Sequence, residues 1–237
     1  MFQLFSTPEW FNGIDIIFDC ISLVVALLIA GFSWKVYRRS SETKFGYFSF
    51  AFFLVSLGFL SKIAVHGLNY YDSFRFVATK ALLPVVGHSG VGVNYSDLFF
   101  RVGFFAHMLT LLGAWLLIYF ISQKGRGRLK KFDETTQIFL FIYFIGLISV
   151  VSNLKYTVFY LTAVVILSLI VLNYYKNYLN KGTSASLLVM VSFLLILASQ
   201  VLFVFVFLNT NFYVGGEMLQ LLGFLLLLYT YVKIVRK

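Results

Sequence analysis

Leu221-Leu222-Gly223-Phe224-Leu225-Leu226-Leu227-Leu228 is the stretch that decides the fold. It is a continuous apolar run, with none of the period-two alternation that a membrane barrel strand shows. In hydrocarbon every backbone amide must be paired inside the protein, and such a run can satisfy its own amides only as a helix. A second block, Ile138 to Tyr175, extends the argument. As one helix it would be about 57 Å long, nearly twice a bilayer core of about 30 Å. It must turn back, and its one polar interruption is Ser152-Asn153-Leu154-Lys155.

Working outward, the chain divides into spans at about 11–33, 46–69, 98–122, 136–152, 156–175, 185–208 and 212–232. The expected fold is all-α, a polytopic seven-helix membrane bundle forming a single domain over residues 1–237. Composition agrees. Of the 237 residues, 60% are hydrophobic, 20% aromatic and 12% charged, with a mean hydropathy of +0.90. Soluble domains carry about 25% charged residues, so there is too little polar surface here to cover a water-soluble globule. That excludes a soluble enzyme and a free nucleic-acid-binding domain, and it excludes disorder, which needs low hydrophobicity. Only Pro8 and Pro84 occur, both outside the spans, so straight helices are expected. No Lys or Arg precedes the first apolar stretch, so it reads as a retained span, not a cleavable signal. Cys20, the single cysteine, reads as a small buried hydrophobe.

Charge sets the expected orientation. Fourteen of the nineteen Lys and Arg residues lie between spans one and two, three and four, five and six, or in the tail. The positive-inside rule places these segments in the cytoplasm, with the N-terminus outside and the C-terminus inside. Most of the net charge of +10 is thereby a topology signal. The run from Lys124 to Lys131 reads as a contact for anionic lipid headgroups at the inner face, not for nucleic acid. Trp10 and Trp34 bracket the first span as interfacial anchors, and Trp115 is expected inside the bundle.

The polar residues of the spans collect in the outer half. Asp15 and Asp19 share one face of the first span, and Lys62 and His66, continued by Asn69, share one face of the second. Asp97 and Arg101 open the third span, with His107 deeper; Gln200 lies on the sixth, Glu217 and Gln220 on the seventh. An unpaired charge at the bilayer centre costs about 2.5–3.5 kcal/mol on insertion scales, so these groups should turn inward and pair. Asp15 or Asp19 is expected on Lys62, and Glu217 on Lys62, Arg101 or a histidine. Two readings follow. One is an ion-pair network that sets helix register. The other is a ligand or ion site built from Asp15, Asp19, Lys62, His66, Arg101, His107, Gln200 and Glu217.

Residues 70–97 form the long outer loop, with an expected interfacial helix over Phe74 to Val86 and a glycine-rich turn after it, and read as a lid over the site. Asn94-Tyr95-Ser96 matches a glycosylation acceptor.

No catalytic residues are expected. The turn at Ser89 has its glycines misplaced for a nucleophile elbow, and no phosphate loop or HExxH helix occurs. No cofactor is assigned; a metal on His66, His107 and Asp19, or a haem between His66 and His107, is the alternative the residues leave open. The layout resembles that of rhodopsins, but the lysine near the last span is Lys233, at its inner end and not midway, which rejects retinal. Seven-span membrane zinc hydrolases are similar only in span count, since spans four to seven hold no histidine. The expectation is a receptor-like sensor that binds a small polar or ionic ligand in a cell membrane and signals through a separate cytoplasmic or membrane protein. A solute, ion or proton transporter using the same pocket is the alternative.

Overall fold

The computed structural model describes residues 7–71, 76–77, 80, 95–123, 146 and 156–235, the backbone alone at 69, 95–100, 181 and 234–235. Among these the chain is all-helical. Six long helices follow one another: α1 (Ile14–Ser40), α2 (Thr43–Tyr70), α3 (Tyr95–Gln123), α4 (Tyr156–Lys181), α5 (Ser184–Val204) and α6 (Asn211–Val235). Each is long and apolar enough to cross a membrane. The span expected at about 136–152, the loop 70–97 apart from a few positions, the side chain of Asp97 and the basic run from Lys124 to Lys131 lie outside the described residues.

The helices run further than the apolar stretches suggest. α1 continues to Ser40, through Lys35, Arg38 and Arg39. Basic residues do not end a helix; long side chains keep their stems on apolar surface and their charges in the headgroup zone. α1 stops where Ser41 turns left-handed (φ 54°) and its N–H returns to the Tyr37 carbonyl. The α4–α5 connection is equally short. Gly182, at φ 61°, occupies a conformation that costs a residue without Cβ little, and Thr183 then caps α5 by accepting the N–H of Ser186.

The contacts close into a ring: α1 on α2, α2 on α3, α3 on α4, α4 on α5, α5 on α6, and α6 back on α1. We call the end where α1 begins the upper end. Four of the ring's neighbour pairs are antiparallel and two run in the same direction. At the α1–α6 seam the early residues Asp19 and Glu217 both reach Lys62. At the α3–α4 seam Phe104 lies 4.7 Å from Tyr156, ring to ring, at the upper end, while Asn173 donates to Ser122 (3.0 Å) at the lower end. α3 and α4 therefore rise and fall together, although one follows the other among the described helices.

The face that α1 turns into the ring is richer in polar and small residues than that of a soluble bundle. The buried stripe of α1 is Asp15, Asp19, Ser22, Val25, Ala26, Ile29, Ala30 and Ser33, while Ile17, Ile21, Val24 and Leu27 point outward. In lipid, apolar side chains gain nothing by turning inward, and small residues win the interfaces because they let backbones approach. α5 and α6 show this most closely. A Cβ at Gly223 would stand 2.7 Å from Ile196 and 3.0 Å from the Ser192 carbonyl, and one at Gly216 would meet the Phe203 ring at 2.5 Å. The middle of the ring is filled by buried Phe52, Phe59, Trp115 and Phe224, with the Trp115 and Phe224 rings stacked 6.3 Å apart. Cys20 is exposed, contrary to expectation. It follows Asp19 by one residue, and adjacent helical positions lie on different faces, so burying the carboxylate turns the thiol outward.

Candidate functional site

The upper half of the ring holds a buried ionic centre. Lys62 on α2 donates to Asp19 Oδ1 on α1 at 2.8 Å and to Glu217 Oε1 on α6 at 2.5 Å. Lys62 is 4% exposed, Asp19 0% and Glu217 2%, so the three charges meet out of reach of solvent. The Lys62 ammonium also lies 5.3 Å from the centre of the Tyr213 ring, a cation–π contact that adds to its stabilisation. Tyr213 precedes Glu217 by one helical turn and shares its face.

A second pair sits one turn nearer the upper end. His66 Nδ1 is 2.6 Å from Asp15 Oδ2, and Tyr70 donates to the same oxygen at 2.9 Å. Asp15 Oδ1 accepts the N–H groups of Gly13 (2.9 Å) and Ile16 (2.8 Å), so this carboxylate also caps the start of α1. The two pairs form a ladder between α1 and α2: Asp15 with His66 above, Asp19 with Lys62 below. The four-residue spacing on both helices supplies both rungs at once. Tyr70 lies beyond the span at the end of α2. Burial, together with the Asp15 carboxylate beside it, raises its phenol above the ordinary range.

Below the ladder is a cavity lined by Lys62, His107, Tyr160, Gln200, Glu217 and Gln220 together with apolar Phe59, Leu111, Phe159 and Phe203. The side chains leave little free space in it. There is room for about one water. His107 donates from Nδ1 to the Gly58 carbonyl at 2.9 Å, in the wall between α2 and α3.

Most of the residues singled out in the sequence thus converge: Asp15, Asp19, Lys62, His66 and Glu217 in the ladder and its centre, His107, Gln200 and Gln220 around the cavity. Arg101 does not. It is exposed near the upper end of α3, and Glu217 turns to Lys62 instead. An arginine this close to the helix end reaches headgroups or water without crossing the core, so nothing draws it inward. His66 and His107 point to different partners, Asp15 and Gly58, and among the described residues no three His, Cys, Asp or Glu side chains gather as a metal-binding group. Asp19 serves Lys62.

Three contributors escaped the sequence reading. Tyr70, not Asn69, continues the Lys62–His66 face, at i, i+4, i+8 spacing. Tyr213 and Tyr160 were lost among many tyrosines, and only their neighbours in space single them out.

No protein-family model, curated protein or solved structure matches this chain.

Proposed function

We propose that this chain is a seven-span cell-membrane protein, N-terminus outside and C-terminus cytoplasmic, that works as a receptor-like sensor. A small ionic ligand enters from the outer side and alters the Asp19–Lys62–Glu217 centre. The basic inner segments rest on anionic headgroups and hand the change to a separate protein partner. The odd span count is supported by the shared direction of α3 and α4. A chain leaving α3 at the lower end and entering α4 at the upper end has to return across the bundle, and residues 136–152 are apolar enough to do so.

The observation that carries the sensor reading is that one ammonium holds carboxylates from α1 and α6 together. A ligand that neutralises either carboxylate changes how those helices are tied, and the rigid helices extend that change to the other face. The buried aromatic filling of Phe52, Phe59, Trp115 and Phe224 supports sensing over passage. Lower hydroxyls such as Ser192 and Thr230 bond carbonyls of their own helices.

A transporter is the second reading. The observation that favours it is the same pair of hydrogen bonds from Lys62: letting go of Asp19 or Glu217 in turn would rock α1 against α6.

One experiment separates them. The protein, with Cys20→Ser and a fluorescent label on Ser184→Cys at the lower end, is reconstituted in liposomes and given steps of proton, sodium, potassium or ammonium concentration from the upper side. A sensor changes label fluorescence with no flux of the stepped ion; a transporter moves the ion. Lys62→Ala abolishes either response. Full response in that variant overturns both readings and leaves the ladder as a register device.

A further inference from the structure

The identity of the ion follows from the charge count at the centre, and this step rests on the reading above. One ammonium meets two carboxylates, Asp19 and Glu217. With both ionised the trio carries an uncompensated negative charge where solvent does not reach. Burying an unpaired charge costs far more than burying a paired one or a neutral carboxyl. One monovalent cation restores neutrality. The space available admits about one water-sized molecule, and its wall includes the Lys62 ammonium, which repels a metal ion or ammonium placed beside it. The cation that needs no volume is the proton.

The structure also distinguishes the carboxylates. Asp15 has hydrogen-bond contacts on both oxygens. Asp19 Oδ1 is held by Lys62, but Asp19 Oδ2 is buried and has no hydrogen-bond partner among the described residues. It is the oxygen of the ladder on which negative charge is least compensated. We propose that the centre is a proton-binding site, the proton held on Asp19 beside Lys62 and Glu217 and delivered from the upper surface through Tyr70, Asp15 and His66.

Contacts lay out the route from Tyr70 to His66, and helical spacing alone carries its last step to Asp19. Tyr70, half-buried at the end of α2, donates to Asp15 Oδ2, and His66 meets the same oxygen. His66 stands one turn from Lys62, and Asp15 one turn from Asp19. An imidazole accepts a proton on one nitrogen and releases it from the other. A hydronium ion at the surface gives up a proton and becomes water, the imidazole relays the proton, and the Asp19 carboxylate becomes a neutral carboxylic acid with a new O–H bond; nothing is oxidised or reduced. Besides its ladder neighbours, the titratable groups among the described residues that face the centre are Glu217 and Tyr213 from α6, Tyr160 from α4 and His107 from α3, while α5 brings the uncharged Gln200.

Infrared spectroscopy of the full chain in liposomes tests this, with pH steps across neutrality and no other ion changed. Wild-type protein is expected to show the carbonyl band of a protonated carboxylic acid, shifting in heavy water. Asp19→Asn, which keeps the shape of the neutral carboxyl, removes the band; Glu217→Gln, which leaves one carboxylate to one ammonium, lowers the pH at which the band appears. His66→Gln slows its rise after a pH jump by about tenfold or more without changing its final height. A wild type with no such band while folded overturns the proposal, as does a band that survives Asp19→Asn. If the band is absent but sodium or potassium moves the Ser184 label, the proton inference falls and the sensor reading stands. If the band titrates and the label stays still, proton binding stands and the sensor reading falls.

Discussion

Asp15 and Asp19 stand one helical turn apart on the same buried face of α1, yet among the described residues Asp15 has four hydrogen-bond contacts and Asp19 has its ion pair to Lys62 alone. The same side chain on the same face therefore has two different roles, anchor and poised acceptor. Asp15→Ala is expected to lower stability by about 3–5 kcal/mol, the range for breaking a buried pair. Asp19→Asn is expected to cost less than about 1.5 kcal/mol, since a neutral hydrogen bond to Lys62 remains. Thermal unfolding in one detergent orders the two variants, and a reversed order would remove the distinction.

Among the described residues Lys62 is the cation that separates two buried carboxylates, so its loss leaves like charges facing each other. Lys62→Met alone is expected to destabilise by about 3–5 kcal/mol. Adding Asp19→Asn and Glu217→Gln to it should recover much of that loss, because no ion is then buried unpaired. A triple variant no more stable than the single one would show that packing around Lys62, and not charge, carries the effect.

Tyr70 supplies a pH signature with a defined sign. Its phenol is raised by burial and by Asp15, so the folded state holds the proton more tightly than the unfolded chain does. Between the unfolded and folded values the native protein binds more protons, and stability falls as pH rises. The contribution is fully present below about pH 10, the unperturbed tyrosine value, and is lost above it. Tyr70→Phe should flatten the alkaline limb of a Tm-against-pH curve; an unchanged slope would count against the Tyr70–Asp15 bond.

α5 and α6 touch where Gly223 admits Ile196 and the Ser192 backbone. Gly223→Leu is expected to cost about 1–3 kcal/mol by overpacking, and more if α6 shifts and draws Glu217 from Lys62. Crosslinking between cysteines placed at Gln200 and Gln220, compared with and without the substitution, reports the shift directly.

The termini should lie on opposite sides of the membrane. A reporter active only in the cytoplasm is expected to work when fused after Lys237, and one active only outside when fused before Met1. Both reporters working on one side would require an even number of crossings, leaving the parallel α3 and α4 without a returning segment between them.

Residue type alone established much of this. Continuous apolar runs such as Leu221–Leu228 have one stable form in lipid, and charged groups such as Lys62 and Glu217 within them are forced to seek company. Spacing also showed which residues share a helix face, hence the pairing of Asp15 with Asp19 and Lys62 with His66 as adjacent rungs. It left open which rung meets which, whether Arg101 joins, and that the cavity is only about one water in size, and it wrongly placed Cys20 inside. Those depend on how far each helix is rotated and slid against its neighbours. That rotation comes from close contact between distant parts of the chain, as where Gly216 receives Phe203, and helical periodicity describes each helix without reference to any other.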